Sequence, residues 1–522
     1  MRLQSIIAAL IVTALTACGK KNEGSPEIPG TGTGTTTKEA GIYPVPPTGF
    51  WGLTNPVVST GWVGDVMPFF DNGKFHIFFL HDATDAEKAK SAGQHAIHKF
   101  TSSDLAKFNY EGEMIPYGNS SNAEHLIGTG SVLKYQNSYF FYYTGHNGSQ
   151  GWLATNLRET ILKASSTNLS NWTKKADFKL TAPAGYTTTD FRDPYVFFNE
   201  EFSEYWMLIS TRRNGKGVLA KYTTTDPSAD NWMLQQPLEV EGDYLMLECA
   251  DIFKMGNYYY MFFAEDWSTA PGTRYRVANS SAGPWRKPEG GNDMLDGHMF
   301  YAGKTASDGT SRYLFAWTHR RNPEADNGGR TWGGNLVVHQ LIQNADGTLG
   351  VKAPNAVNAL FSKTAELKDA NVLGSVNAAG SSFTLDGNSS TATKSFDKAP
   401  KSLKISTSIT LEKNTGAAGF VFNASAINSP TYKILFEPQK SRIAAYNISG
   451  GISTEVTRVP LAIQAGTGYA VDLIIDGSVC VLYVNGKVAL SNRIYSAPGN
   501  AWGITADGNK ATFSNLNIHT SN

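Results

Sequence analysis

Lys74-Phe75-His76-Ile77-Phe78-Phe79 is an aromatic strand that the chain writes again four times. The later copies are Ser138-Tyr139-Phe140-Phe141-Tyr142-Tyr143, Glu204-Tyr205-Trp206-Met207-Leu208, Asn257-Tyr258-Tyr259-Tyr260-Met261-Phe262-Phe263 and Arg312-Tyr313-Leu314-Phe315-Ala316-Trp317. Each belongs to a unit of roughly 50–65 residues that opens with a small or acidic residue and a short apolar run. Four units carry a polar turn: Thr101-Ser102-Ser103-Asp104-Leu105, Ser166 to Trp172, Thr224 to Trp232, and Asn279 to Trp285. The fifth ends in Asn344-Ala345-Asp346-Gly347 instead. Short β-rich units with a shared period predict an all-β chain whose residues 50–355 form a five-bladed β-propeller. The same pattern leaves a large irregular sandwich open as the alternative.

Beyond residue 360 the aromatic pattern stops. Alternating stretches such as Ser402-Leu403-Lys404-Ile405-Ser406-Thr407-Ser408-Ile409 and Ala470-Val471-Asp472-Leu473-Ile474-Ile475-Asp476 take over. Turn signals at Asp386-Gly387, Asp476-Gly477 and Asn485-Gly486 separate them. Residues 360–522 therefore read as a β-sandwich. At the other end, the apolar run Ser5–Ala17 after Arg2 is too short to span a bilayer and fits a signal-peptide core. It ends Leu15-Thr16-Ala17-Cys18, which resembles the bacterial lipobox, with Cys18 as the acylated thiol. An ordinary signal peptide with a chance cysteine is the other reading of residues 1–18. Residues 19–49 are rich in Gly, Thr, Pro and Lys and read as a flexible tether. Together these predict a protein of the bacterial cell envelope, lipid-anchored on the periplasmic side or at the cell surface.

The 45 basic and 45 acidic residues cancel, which argues against nucleic acid as the partner. Aromatic residues at 12% with only 17% charged residues suit a protein that stacks rings on sugars. Three cysteines exclude a disulfide scaffold, with a single Cys249–Cys480 bond left open. No zinc spacing or phosphate-binding loop is present, so no metal or cofactor is expected.

Three carboxylates stand beside apolar residues where the first strand of a unit begins. They lie in Trp62-Val63-Gly64-Asp65-Val66-Met67-Pro68, in Asp190-Phe191-Arg192-Asp193-Pro194 and in Leu247-Glu248-Cys249-Ala250-Asp251. A charge in such a place is costly unless it is paired or used. Singly, each reads as a turn or cap residue; in one shared register of three units they read as a site. Hydrolysis of a glycosidic bond needs a carboxyl pair, one to attack or activate water and one to protonate the leaving oxygen.

The order Asp65, then Arg192-Asp193-Pro194, then Glu248-Cys249 resembles glycoside hydrolase family 32, the invertases, levanases and inulinases. Gly128-Thr129-Gly130-Ser131 is similar to a further motif of that family, and so is Trp332-Gly333-Gly334. Ala511-Thr512-Phe513-Ser514-Asn515-Leu516-Asn517-Ile518 resembles the closing strand of its lectin-like sandwich. The resemblance implies Asp65 as nucleophile, Asp193 as transition-state stabiliser and Glu248 as general acid/base of a retaining reaction. It implies Arg192 and Ser131 as substrate contacts, and Trp62, Tyr301 and Trp332 as sugar-contacting aromatics. It implies a carbohydrate partner, a fructan or a sucrose-type oligosaccharide. One position departs from the pattern: Gly64 stands where the family carries Asn, and the following Asp-Pro pair is lost. Fructosyl transfer by the same acids and a non-catalytic surface glycan-binding lipoprotein are the competing functions.

Overall fold

The computed structural model describes residues 41–47, 49–51, 55–59, 61–83, 95–423 and 430–521. The expected signal peptide, Cys18 and most of the tether lie outside the described residues. The described residues are nearly all β, with two short helices at Gln150–Leu153 and Asn355–Leu360 and a single 3-10 turn.

The first part of the chain is a series of antiparallel meanders in sequence order. One runs through Leu126–Tyr135, Ser138–His146, Glu159–Ser166 and Thr173–Lys174. The next uses Phe191–Asn199, Glu204–Arg213, Lys216–Thr224 and Met233–Leu234, and the one after it Glu248–Met255, Tyr258–Glu265 and Gly272–Ala278. An eight-stranded sheet joins the beginning and the end of this part. Gly61–Asp71, Lys74–Ala83, Ile97–Ser102 and Asn109–Ile115 form one half; Phe300–Ser307, Arg312–Asn322, Gly329–Gln343 and Leu349–Lys352 form the other. The halves meet at one residue pair, Gly334 with Val63.

Each aromatic segment of the sequence falls on the second strand of a meander. The reason is packing on both faces. In Ser138–His146, Tyr139, Phe141 and Tyr143 join one hydrophobic cluster, while Phe140 and Tyr142 join the next. Trp206 and Leu208 likewise part from Met207 and Ile209. A strand sends alternate side chains to opposite faces, so a strand buried on both sides reads as an unbroken apolar run. The polar turns repeat as well. Ser102 Oγ accepts the Leu105 N–H at 2.8 Å, Ser166 Oγ accepts the Leu169 N–H at 3.0 Å, and both leucines are left-handed.

The second part is two large sheets whose inward side chains share one core. Ser402–Leu411, Gly468–Asp476 and Lys510–Thr520 belong to one sheet; Ala417–Phe422, Tyr432–Glu437 and Ala501–Asp507 belong to the other. A further cluster seals the two parts together through Val337, Leu341 and Val351 against Ile474, Val481 and Tyr483. Within that seam His339 Nε2 lies 2.9 Å from Asp296, which also accepts the backbone N–H of Ser491 at 2.7 Å. Cys249 and Cys480 are both buried free thiols, so the bond left open from composition is not formed.

Candidate active site

The leading strand of every meander breaks its ladder near its start. The irregularities fall between Val63 and Val66, Gly128 and Gly130, Arg192 and Tyr195, Glu248 and Asp251, and Tyr301 and Lys304. A bulge inserts an extra residue, bends the strand and re-aims a side chain. Asp193, Cys249 and Ala302 take left-handed backbone there, at φ 57°, 53° and 58°. The three acids share this feature but not one register. Asp65 stands one residue before the ladder resumes at Val66, Asp193 two before Tyr195, and Glu248 three before Asp251. Each meander thus offers its carboxyl from a different point of the same bulge.

Asp65 is held by two donors. Thr129 Oγ1 donates to its Oδ2 at 2.7 Å and Trp317 Nε1 to its Oδ1 at 3.1 Å. Asp193 is buried, its own N–H reaching Thr144 Oγ1 at 2.8 Å. Its Oδ2 accepts the Cys249 N–H at 3.0 Å. Burial pushes its pKa up to about 6, with Arg192 opposing and the Asp65 charge adding to the rise. Glu248 accepts Arg192 Nη2 at 2.8 Å and Nε at 3.2 Å on Oε1, and the Tyr301 hydroxyl at 2.9 Å on Oε2. Its pKa is pushed up to about 7, first by burial; Arg192 lowers it, and the charges of Asp193 and Asp65 raise it. A carboxyl that keeps its proton near neutrality, beside another that orients for attack, is the division of labour that acid-assisted bond cleavage needs.

Arg192 does more than the sequence suggests. Besides Glu248, its Nη1 donates to Asp190 at 2.8 Å and to Glu159 at 3.2 Å. Glu159 in turn accepts the Phe191 N–H at 2.5 Å. Three carboxylates thereby fix one guanidinium, and the guanidinium fixes Glu248. Trp332 lies on the other wall, where its ring is 5.4 Å from that of Trp317 and 4.4 Å from that of His95. The indole explains Gly64: a Cβ built there would stand 1.9 Å from Trp332 Cη2. The side-chain volume the family pattern gives to Asn is taken up by this ring.

Two expected contacts are engaged by the protein's own residues. Trp62 is 7% exposed, with the guanidiniums of Arg320 and Arg493 over its ring at 5.3 and 5.8 Å. Ser131 is buried and staples two leading strands, donating to Pro194 O and accepting the Val196 N–H, each at 2.9 Å. Its neighbour Thr129 is the residue of that segment that reaches Asp65. Sequence reasoning misses Thr129, Trp317, Glu159 and Asp190. It also misses Lys304, a buried cation that donates to Gly130 O at 2.9 Å and whose charge opposes the rise in the Asp193 pKa. His81 and His98 are buried with ring centroids 4.3 Å apart, and burial keeps the His98 imidazole down at about 3. Among the described residues no group of three or more His, Cys, Asp or Glu could hold a metal ion.

Residues 58–351 match the model of the glycosyl hydrolases family 32 N-terminal domain. Residues 347–518 match that of the GH32, BT1760-like, C-terminal domain. The raffinose invertase of Escherichia coli is 28% identical over 325 residues, which is 58% of this chain and 64% of that protein. The sucrose-6-phosphate hydrolase of Escherichia coli is 25% identical over 55% of this chain and 61% of its own length. The chain thus spans between 40% and 64% of the length of the curated relatives it matches. Among solved structures, the sucrose-6-phosphate hydrolase from Lactobacillus gasseri superposes with a TM-score of 0.68 at 18% identity, covering 89% of this chain and 91% of that one. The exo-inulinase from Aspergillus awamori does so at 0.67 and 16%, covering 92% and 98%. At these identities the superpositions establish a shared fold.

Proposed function

The chain belongs to glycosyl hydrolase family 32, and from that premise we propose that it cleaves β-fructofuranosidic bonds in fructans or sucrose-type oligosaccharides by a retaining double displacement. The observation that carries the reading is the meeting of Asp65, Asp193 and Glu248 from three of the five bulges, with only Glu248 gripped by both an arginine and a tyrosine. Asp65, aimed by Thr129 and Trp317, attacks the anomeric carbon. Glu248 gives its proton to the departing oxygen. Water then enters, Glu248 takes its proton, and fructose leaves with its configuration retained. Asp193 accepts hydrogen bonds from fructosyl hydroxyls and offsets positive charge growing on the ring. Arg192 positions Glu248, and Tyr301 holds the oxygen that the arginine does not.

The finer architecture follows the same reading. The five meanders are the blades of a five-bladed propeller, closed by the Gly334–Val63 pair, over residues 50–355. Residues 360–522 are its companion β-sandwich. The lipobox-like Cys18 and the tether 19–49 anchor the enzyme to the bacterial envelope, as the sequence suggests. Metabolic labelling with a fatty-acid analogue, lost in Cys18→Ser, tests the anchor.

Release of reducing sugar from sucrose, levan and inulin tests the activity, with Asp65→Asn and Glu248→Gln as controls. Turnover by the parent and by neither variant supports the fructosidase. Binding of fructan without turnover transfers the reading to a glycan-binding lipoprotein.

A further inference from the structure

The leading strands continue beyond their bulges. At 67–70, 130–134, 195–198 and 304–307, four of these strands line one cavity of about 350 Å³. Asp65, Asp193 and Tyr301 stand before the bulges of three of them, so the cavity lies on the other side of the bulges from the acid cluster. Much of its wall is apolar, from Phe69, Val132, Leu133 and Phe197. Where the lining reaches solvent it carries Phe198, 47% exposed, and Lys134, which Asp71 pairs at 2.6 Å.

Two further cations line this space, and neither stands in an ion pair among the described residues. Lys304 is 2% exposed, and its Nζ donates to one acceptor among those residues, Gly130 O at 2.9 Å. Arg312 donates from Nη1 to Thr305 Oγ1 at 2.8 Å and holds its guanidinium 4.2 Å from the centre of the Phe253 ring. An ammonium carries three N–H donors and a guanidinium five, so most of theirs are left over. Asp251, fully buried, is a carboxylate on this side, and it accepts the Thr305 N–H. Its charge favours that of Arg312 against burial, which lowers the Arg312 pKa. On the acid side Lys304 weighs on Asp193, which has Arg192 as its own cation. Lys134 and Asp71 cancel, while Lys304 and Arg312 outnumber Asp251 by one positive charge. A charge removed from water is costly unless opposite charge and hydrogen bonds meet it.

We propose that this cavity is a binding site for one small monovalent inorganic anion, of halide size, held by Lys304 and Arg312. A single negative charge matches the surplus, and its lone pairs meet the donors that the two cations leave over. A phosphate dianion exceeds that charge. A halide also needs no donor of its own, which suits walls that are apolar apart from the two cations. The site is separate from the carboxyls of the proposed hydrolysis and depends on neither that reaction nor its substrate.

Bromide is the probe. Crystals of the full chain soaked in sodium bromide are measured at the bromine absorption edge, for the parent and for Arg312→Gln. The site predicts an anomalous peak inside the cavity, at hydrogen-bonding distance from Lys304 Nζ or the Arg312 guanidinium, that is lost or at least halved in the variant. In solution, the melting temperature of the parent gains about 2 °C over Arg312→Gln and Lys304→Met as bromide is added, and the gain then levels off. Peaks confined to the outer surface, an adventitious ion only, overturn the site. An equal melting response in the parent and Arg312→Gln overturns it as well. Arg312→Gln keeps the buried lysine, so the comparison stands even where Lys304→Met does not fold.

Discussion

In Ser138–His146 every residue between the two ends is buried, whereas in Ser402–Leu411 burial alternates at each step. The first strand feeds one cluster with Tyr139, Phe141 and Tyr143 and another with Phe140 and Tyr142. The second sends Leu403, Ile405, Ile409 and Leu411 into a single core and leaves its other face polar. The contrast tells where chemistry can be read. Where strands are apolar on both faces, a carboxyl intrudes, and Asp65, Asp193 and Glu248 stand out. Where one face is already polar, another hydroxyl or charge says little.

The sharpest way to break the contrast is to remove an intruding acid. Asp65→Asn or Glu248→Gln lowers kcat on fructan by about 10³-fold or more, while thermal melting shows the fold retained. Next come the apolar positions. Phe140→Ala and Phe141→Ala each cost about 3–5 kcal/mol, since neither faces water. In the other region Ile405→Ala costs about 2–5 kcal/mol, and its neighbour on the polar face, Ser408→Ala, stays within about 0.5 kcal/mol. Urea denaturation of the four variants checks the pattern. Equal costs at Ile405 and Ser408 would erase the distinction.

A smaller effect sharpens the contrast inside the site. Gly64→Asn places a side chain where the Trp332 indole lies, and the ring must give way. KM for fructan rises about tenfold, or about 1.4 kcal/mol, and Gly64→Asn combined with Trp332→Ala recovers part of the loss. The smallest effect is a shift in pH dependence. Glu248 must hold its proton to act as an acid, so kcat/KM falls as pH rises through about 7. The Asp193 charge raises the Glu248 pKa. The residual activity of Asp193→Asn therefore loses its alkaline limb at lower pH than the parent. A limb moved upward would contradict the assigned cause.

Much of this is legible in the order of residues alone. The aromatic segments fall on second strands, and the turns around Ser102 and Ser166 fold alike. The carboxyls are legible because charge among apolar neighbours is conspicuous. Their offset of one residue from each acid to the next is not, because a bulge changes which face a side chain takes without leaving a mark in composition. That is also why the sequence points to Ser131 at the site and passes over Thr129. Trp317 reads like one more core aromatic; only the folded chain brings its Nε1 to Asp65. Glu159 belongs to no motif, and its importance comes wholly from the arginine it meets.

The bond between Trp317 and Asp65 joins residues 252 positions apart, and the Gly334–Val63 pair closes a longer span still. Read as time, those spans mean that Asp65 leaves the ribosome roughly 10–50 s before Trp317 follows it, at ordinary rates of synthesis. Through that interval the Asp65 carboxylate lacks one of its two donors, and the leading strand that carries it lacks its neighbour. The surroundings of Asp65 are therefore complete only when the last strands of the first part have joined the first one.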